Sequence, residues 1–221
     1  MSRVKICLTH RVFKFDENAA IGIGSLIMFI AMIIVAGIAA SVMIQTMNSL
    51  EEQAMTTGQE TIRDVSTGLR VNQVTGYNSG SSIAQLAIFV RTTAGSGDVD
   101  LSQAYLSISD SSKKVILNYT SNVFASSFSN GLFGTINSSN LSGTTYGVMV
   151  VRDIDGSCTS SIPAINTDDL VVLMVNTTDC FSGISTRTDV SGYIVPEYGM
   201  NGVIRFTTPS AYIDTIIELQ T

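Results

Sequence analysis

The feature that most constrains this chain is an apolar run of 32 residues without a charge, from Ala19 to Leu50. It reads AAIGIGSLIMFIAMIIVAGIAASVMIQTMNSL, and Ile21–Ile44 alone supplies 24 residues. About 20 apolar residues in a helix span a bilayer, whereas the apolar core of a signal peptide has about 7–15. The run is therefore too long for an ordinary signal peptide, and a membrane span is its first interpretation.

The helical pattern continues beyond this run. Between residues 43 and 69, apolar side chains recur at three- and four-residue spacing with acidic and amide residues between them, which is typical of an amphipathic helix. One helix from about Ala20 to about Thr67 would be ~70 Å long. A single small domain cannot cover such a helix, so its apolar surface needs either lipid or copies of itself.

The charges on the two sides of the run differ in sign. Residues 1–19 hold four basic and two acidic residues, a net charge of +2, and the remainder holds 8 basic and 16 acidic residues, a net charge of −8. A basic segment before an apolar run stays in the cytoplasm, so we expect the rest of the chain to be exported. The acidic balance argues against a nucleic-acid partner, because phosphate binding needs a basic surface.

The second half of the chain predicts β-strands, because short segments rich in β-branched and aromatic residues alternate with Gly, Ser, Asn and Asp clusters. The eight predicted strands are 81–93, 101–109, 113–120, 145–153, 169–176, 192–198, 202–208 and 211–219. Such a series indicates an immunoglobulin-like sandwich, and Ser/Asn/Gly-rich 121–144 is expected to be a surface loop. The expected fold class is α+β: a long N-terminal α-helix followed by an all-β immunoglobulin-like sandwich.

Two cysteines, Cys158 and Cys180, follow the apolar run. An even pair in an exported region predicts a disulfide between them. The alternative is two free buried thiols, which behave as small hydrophobic groups.

The exported region also contains four N-x-[ST] sequons, at Asn118, Asn137, Asn140 and Asn176. Each sequon alone is a weak signal, because Asn, Ser and Thr are common in this chain. Four together predict glycosylation of at least one of them.

Catalysis is not expected from this sequence. The only histidine is His10, in the basic head, so no Ser/His/Asp or Cys/His set can form in the exported part. We therefore expect a protein that is not an enzyme and needs no catalytic cofactor.

One acidic motif offers a metal-binding interpretation. In Asp153-x-Asp155-Gly156-Ser157, oxygen-bearing side chains alternate around a tight turn, as they do in calcium sites. Asp153, Asp155 and Ser157 would supply side-chain oxygens, together with Asp168 or Asp169 from a neighbouring loop. The alternative is an Asx-type turn at the end of a strand, without an ion.

The start of the apolar run resembles the N-terminus of the archaeal flagellins (archaellins). The matching residues, in the family's order, are Gly22-Ile23-Gly24-Ser25-Leu26-Ile27, Phe29-Ile30-Ala31-Met32 and Val35-Ala36. LEEQAMTTGQETIRDVSTGLRV is similar to the family's helix end, and DLSQAYLSISD, DIDGSCT and DLVVLMVN resemble its outer domain. Bacterial-type pilins typically have Glu at the position of Gly24, which favours an archaellin over a pilus subunit.

This resemblance implies how the chain is processed and divided. A type IV prepilin-like peptidase would remove a leader, residues 1–19, by cleavage between Ala19 and Ala20. Residues 20–67 would then form the filament-core helix and residues 68–221 the outer β-sandwich domain. The helix would span the membrane only before assembly, and would then join a bundle of like helices through Gly22, Ile23, Gly24, Leu26, Ile27, Phe29, Ile30, Met32 and Val35.

The function implied by the resemblance is structural. The chain would be a subunit of the extracellular archaeal flagellum (archaellum) filament, polymerising with itself or with related flagellins. A membrane motor would assemble and turn the filament for swimming. An adhesive surface filament built in the same way is the main alternative, and a secreted or signal-anchored β-sandwich that never polymerises is the other.

Overall fold

The computed structural model describes residues 17–136 and 138–221. By their contacts these residues form two units, divided between Thr57 and Gly58. Helix α1 (Glu17–Ser66) supplies the described residues of the first unit and the first residues of the second. Every residue from Ile21 to Ser66 is exposed.

Helix α1 contains no proline, and Ala, Ile, Met and other residues compatible with a helix dominate it. It begins three residues before the predicted Ala20 and ends one residue before the predicted Thr67. The backbone N–H of Thr67 still donates to the Arg63 carbonyl at 2.9 Å. The chain then passes so close to Met200 that a Cβ atom on Gly68 would lie 2.9 Å from the Met200 Cβ.

The second unit is built mainly from strands. Among the described residues they are β1 (Leu69–Asn78), β2 (Ile83–Thr92), β3 (Val99–Asp100), β4 (Tyr105–Ser109), β5 (Lys114–Ala125), β6 (Thr145–Arg152), β7 (Ala164–Ile165), β8 (Leu170–Asn176), β9 (Asp189–Val195), β10 (Gly202–Thr207) and β11 (Ile216–Gln220). Two short helices, α2 (Leu132–Thr135) and α3 (Thr177–Phe181), and the 3₁₀ turn Ser138–Asn140 complete it.

Nine strands form one sheet in the order β10-β9-β4-β5-β6-β8-β2-β1-β11, and β3 pairs separately with β7. All neighbours in the large sheet are antiparallel except β5 and β6, which are parallel. The side chain of Gln220, on one edge strand, accepts from the Arg205 N–H at 2.8 Å and donates to the Val203 carbonyl at 3.3 Å. The sheet therefore curls until its edges meet. The resulting sandwich- or barrel-like domain confirms the predicted α+β class, in which a long helix precedes an all-β sandwich.

Apolar side chains fill both faces of the central strands. The main cluster lies inside the curled sheet and includes Leu106, Ile108 and Leu173. A second cluster lies on the other face, where Ile136 and Leu141 pack with residues such as Met174. Strand β8 is apolar from Leu170 to Val175, as expected for a strand with both faces buried.

Segment 121–144 differs from the predicted surface loop. Its first residues extend β5 to Ala125, and α2 and the 3₁₀ turn follow. Val123, Ile136 and Leu141 are buried, so the segment covers the second face of the sheet. The surface-loop prediction was wrong for this segment. Its Ser, Asn and Gly content indicated a loop, whereas three widely spaced apolar residues are enough to hold it against the sheet.

The strand register defines two ends of the domain. The proximal end is where β1 begins, and the connections 93–104, 153–169 and 196–201 lie there. The distal end holds the turns 79–82 and 110–113 and the connections 177–188 and 208–215. These two names are used below in this sense.

The backbone at Gly199 generates a testable stability difference. Gly199 and Gly95 both have positive φ, 90° and 83°, but a Cβ on Gly199 would collide with the Thr67 carbonyl oxygen while one on Gly95 meets nothing within 4 Å. We expect Gly95→Ala to lower the free energy of unfolding by about 1 kcal/mol, the cost of a left-handed alanine, and Gly199→Ala to lower it by at least 2 kcal/mol more. Denaturant unfolding followed by circular dichroism measures both. Equal losses would contradict the close approach at Gly199.

Candidate assembly helix and acidic turn

The nine residues predicted for helix assembly all lie on α1, and the structure covers none of them. The exposed fraction of their large side chains runs from 48% at Ile30 to 73% at Met32. The helix is long and apolar enough to cross a membrane by length and composition, and its most apolar window has no buried residue. An apolar surface of this extent is unstable in water.

The glycines of the helix have no intramolecular explanation. A methyl group added to Gly22, Gly24 or Gly37 would meet no atom within 4 Å. Glycine inside a helix costs about 0.5–1 kcal/mol relative to alanine. Nothing in the described part of the chain requires this cost.

Two hydroxyl groups within the run are satisfied by the helix itself. Ser25 Oγ donates to the Gly22 carbonyl and Thr46 Oγ1 to the Met43 carbonyl, both at 2.9 Å. A hydroxyl with a local acceptor can enter a water-free environment at little cost. These two polar residues therefore do not interrupt the apolar character of the run.

Ala19 and Ala20, predicted to flank the leader cleavage point, lie within α1. Residues 1–16, most of the predicted leader, lie outside the described residues. The cleavage therefore stays a prediction.

The structure brings three acidic residues together at the proximal end. Side-chain oxygens of Asp153, Asp155 and Asp169 all lie within 4.8 Å of one another. Asp153 and Asp155 follow the end of β6, and Asp169 directly precedes β8, which pairs with β6. The register of these strands is what brings the two loops together.

Backbone and amide donors hold each carboxylate in place. Asp153 accepts from the N–H groups of Gly156 at 2.8 Å and Cys158 at 3.1 Å. Asp169 accepts from Ile154 N–H at 3.3 Å and Asn166 N–H at 3.0 Å. These bonds leave unused lone pairs on the oxygens, and oxygen donors of this kind suit a hard cation such as calcium.

The cluster of Asp153, Asp155 and Asp169 is called the acidic turn below, and Asp155 is its most exposed member. It accepts from Ser157 N–H at 3.0 Å and from Asn166 Nδ2 at 2.6 Å. The side chain and backbone N–H of Ser157, followed by the Asn166 side chain, hold the pKa of Asp155 below its usual value. All three hydrogen bonds favour the charged carboxylate.

The sequence left open whether Asp168 or Asp169 would join Asp153 and Asp155. Asp169, rather than Asp168, joins the cluster, because Asp168 has a left-handed backbone (φ 74°) and its carbonyl accepts from Arg152 Nε at 2.6 Å. The Ser157 hydroxyl donates to the Ala164 carbonyl at 3.2 Å, so this carbonyl competes with the Asp155 carboxylate for its proton. Asn166, which anchors both Asp155 and Asp169, was missed in the sequence, where an Asn two residues before paired acids was its only signal.

Cys158 and Cys180 are free thiols, and both are buried. The predicted disulfide is therefore wrong, and the alternative of two buried thiols is what the fold contains. Cys158 belongs to the proximal connection after β6, whereas Cys180 lies in α3, at the distal end of β8. Seven residues of β8 separate these ends by roughly 20 Å, beyond the ~7 Å between Cα atoms that a disulfide tolerates.

Burial raises the pKa of both thiols, but different charged residues lie near each of them. Burial, followed by the charges of Asp153 and Asp169, raises the pKa of Cys158 to about 12. Burial raises the pKa of Cys180 to about 11, against the opposing effect of Lys113. The Cys180 thiol donates to the Gly143 carbonyl at 3.6 Å.

The sequons differ in accessibility. Asn118 on β5 and Asn140 in the 3₁₀ turn are exposed, and Asn137 lies outside the described residues. Asn176 is only 5% exposed. Its side chain caps α3 by accepting from the N–H groups of Thr178 and Asp179, and its amide donates to Ser138 O and Asp179 Oδ2. The folded domain therefore does not present Asn176 for modification.

Comparison with known proteins identifies clear relatives. The sequence profile of the family described as archaeal-type flagellin matches residues 19–206. Flagellin B2 of Methanocaldococcus jannaschii is 42% identical over 216 residues, which cover 95% of this chain and all of that protein.

Solved structures show the same similarity. The crystal structure of archaeal flagellin FlaB1 from M. jannaschii matches with a TM-score of 0.63 and 36% identity, over 70% of this chain and 97% of that one. The archaeal flagellum of Methanospirillum hungatei matches with a TM-score of 0.62 over 90% of this chain and 99% of that one. At 15% identity the second match shows a shared fold.

The acidic turn predicts calcium binding that depends on the clustered carboxylates. We expect calcium to raise the melting temperature of the protein and a chelator to reverse the rise, because an ion bound only to the native state stabilises it. Asp155→Asn should abolish the rise, and Asp168→Asn, outside the cluster, should retain it. Calorimetric titration that detects no calcium binding to the unsubstituted protein would favour the Asx-turn interpretation.

Proposed function

Because this chain belongs to the archaeal-type flagellins and is a subunit of the archaeal flagellum filament, we propose that it polymerises by burying α1 in a bundle of identical or related helices. The filament is extracellular, and the β domain forms its outer part. The work of the chain is mechanical rather than catalytic. A membrane motor assembles the filament and turns it for swimming.

The exposed apolar surface of α1 supports this proposal most directly. Burying one large apolar side chain is worth about 1.5–3 kcal/mol relative to water. Ile23, Ile27, Ile30 and their neighbours are more than 45% exposed, so the helix gains this stabilisation only from another environment. Lipid provides it before assembly and other copies of the helix provide it afterwards, so the net gain on assembly is smaller than the transfer from water.

The helix glycines support packing against other copies. A Cβ at Gly22, Gly24 or Gly37 meets nothing within the chain. Close approach of a neighbouring molecule would explain why these positions lack a side chain. Small residues let two helix backbones approach closely where lipid tails offer no hydrophobic driving force between helices.

The charge asymmetry supports the proposed processing. Residues 1–19 carry +2 and stay in the cytoplasm, while the acidic remainder is exported. A prepilin-type peptidase removes this leader between Ala19 and Ala20 and leaves α1 as a span of the cytoplasmic membrane. Domains 20–67 and 68–221 then correspond to the filament core and the outer layer.

Glycans on the outer domain are proposed at Asn118 and Asn140, the two sequons that the structure presents to solvent. Asn137 shares the sequence signal. Peptide mass spectrometry of filaments that finds Asn176 modified would contradict the burial of its amide.

A charge in the apolar helix should prevent assembly. We expect Ile30→Asp to abolish filaments, because an aspartate at the centre of a bilayer or helix bundle costs about 2.5–3.5 kcal/mol or more. Electron microscopy of cells and a swimming assay measure the result. Cells should lose swimming but keep surface attachment, whereas lost attachment would favour the adhesive filament.

Ile213→Asp is the matched control for this change. Ile213 is 89% exposed in the outer domain, so its replacement should leave filaments and swimming intact. Normal filaments from Ile30→Asp would contradict core packing by α1.

The N-terminus of the extracellular protein should be Ala20. Mass spectrometry of sheared filaments measures it, since removal of residues 1–19 keeps the apolar helix intact. A start near Ala40 or Ser41 would mean that the helix is discarded, and the proposed assembly mechanism would then fail.

A further inference from the structure

The outer face of the sheet carries a row of exposed apolar side chains. The register of β10, β9, β4 and β5 places Val203 opposite Tyr193, Tyr193 opposite Ser107, and Ser107 opposite Ile116. Val203, Tyr193 and Ile116 are 52%, 49% and 55% exposed, and Ser107 between them is 4% exposed. These four residues are called the apolar stripe below.

The pattern of these strands makes the stripe unusual. Strands β9 and β10 alternate strictly between buried and exposed residues, and their buried residues, such as Ile194 and Ile204, fill the main core. The other face of such strands is normally polar, because it meets water. Here Val203 and Tyr193 are adjacent, and Ile116 lies in the same row two strands from Tyr193. Exposed apolar groups that share a row on one face are a candidate interaction surface.

Basic side chains border the stripe on its distal side. In the next row Arg205 lies opposite Ser191, Ser191 opposite Ser109, and Ser109 opposite Lys114. Residues 58–221 hold 8 basic and 14 acidic residues, a net charge of −6, so this basic border stands out from an acidic domain.

Two acidic residues lie distal to this row. Thr207 Oγ1 donates to Asp189, and the N–H groups of Ser112 and Lys113 donate to Asp110 at 3.0 and 2.7 Å, so both carboxylates stay charged. Asp189 lies opposite Thr207, beyond the row of Arg205, so the charges adjacent to the stripe are the positive ones of Arg205 and Lys114.

The proximal end of the domain has the complementary character. Its connections 93–104, 153–169 and 196–201 contain seven acidic residues and no Lys or Arg. Two guanidinium groups border them: Arg152, whose Nε donates to the Asp168 carbonyl, and Arg63, which lies over the Tyr198 ring and lines a cavity with Asp98, Asp100 and Glu197. The carboxylates still outnumber these cations. Among these acids Ile154 and Ile162 are 69% and 57% exposed, so apolar and acidic groups are mixed. If a cation binds the acidic turn, four other carboxylates of the proximal end are not its ligands. They are Asp98, Asp100, Asp168 and Glu197.

We infer that the apolar stripe of one copy docks on the proximal end of the next copy in the filament, with Ile154 against the stripe and Arg205 and Lys114 facing the carboxylates. The contact joins two different surfaces, and such a contact repeats into an open helix when its rotation does not close a ring. The inference rests on the filament function proposed above. Because α1 already holds the copies together, a high effective concentration lets a modest contact form.

Thiol labelling of intact filaments tests this contact. Tyr193→Cys and Ile154→Cys place a thiol on each surface. Phe128→Cys is the matched control, since Phe128 is an aromatic residue that is 43% exposed on segment 121–144, which covers the outer face of the sheet at β2, β6 and β8. Cys158 and Cys180 are buried and contribute little background. The rate of maleimide labelling is measured in sheared filaments and in the same filaments dissociated with detergent.

We expect the thiols at positions 193 and 154 to label at least roughly tenfold more slowly in filaments, because the core of an interface excludes water, and the thiol at 128 to label equally in both states. If Tyr193→Cys does not assemble, Ile116→Cys on the neighbouring strand replaces it. Free labelling of either surface in filaments overturns the inference, and protection of the stripe alone indicates pairing of two stripes and overturns it too. Unsubstituted protein that forms no filaments would instead overturn the proposed function.

Discussion

The structure depends on one unmet requirement, the apolar surface of α1. Helix α1 has 50 residues and is exposed from Ile21 to Ser66. The exposed surface of its apolar run is unfavourable in water. Within its uncharged run the hydroxyls of Ser25 and Thr46 are satisfied locally, so these two residues can enter an environment without water. Membrane storage and helix-bundle assembly are two solutions to the same problem, and the same segment can serve both in turn.

The β domain solves the opposite problem, because it must stay soluble beside many copies of itself. An open sheet would offer unpaired edges to its neighbours. The Gln220 side chain closes the gap between β11 and β10 with both of its polar groups, and so covers N–H and C=O groups at the edge. Contacts between domains are then left to side chains on the outer faces, where charge and shape can select a partner.

The sequence predicted the helix and the fold class well, because a long uncharged run and alternating strands leave few alternatives. It failed where tertiary contacts decide. Strand β1, with Arg70, Asn72 and Gln73, lacks an apolar run, and pairing with β2 and β11 defines it. The predicted Cys158–Cys180 disulfide was wrong because spacing along the chain does not reveal that β8 places the two cysteines at opposite ends of the domain. The acidic turn was found, but its third carboxylate and Asn166 depended on the β6–β8 register.

The pairing of β1 with β11 also bears on how fast the domain matures. Val74 pairs with Gln220, although most of the domain's sequence lies between these two residues. The parallel β5–β6 pair likewise requires the whole segment 126–144 to cross over before it forms. Sheets assembled from such distant partners fold slowly, since long loops must close before their contacts are rewarded. In the proposed membrane-anchored precursor, the domain has this interval to complete its sheet before α1 joins the polymer.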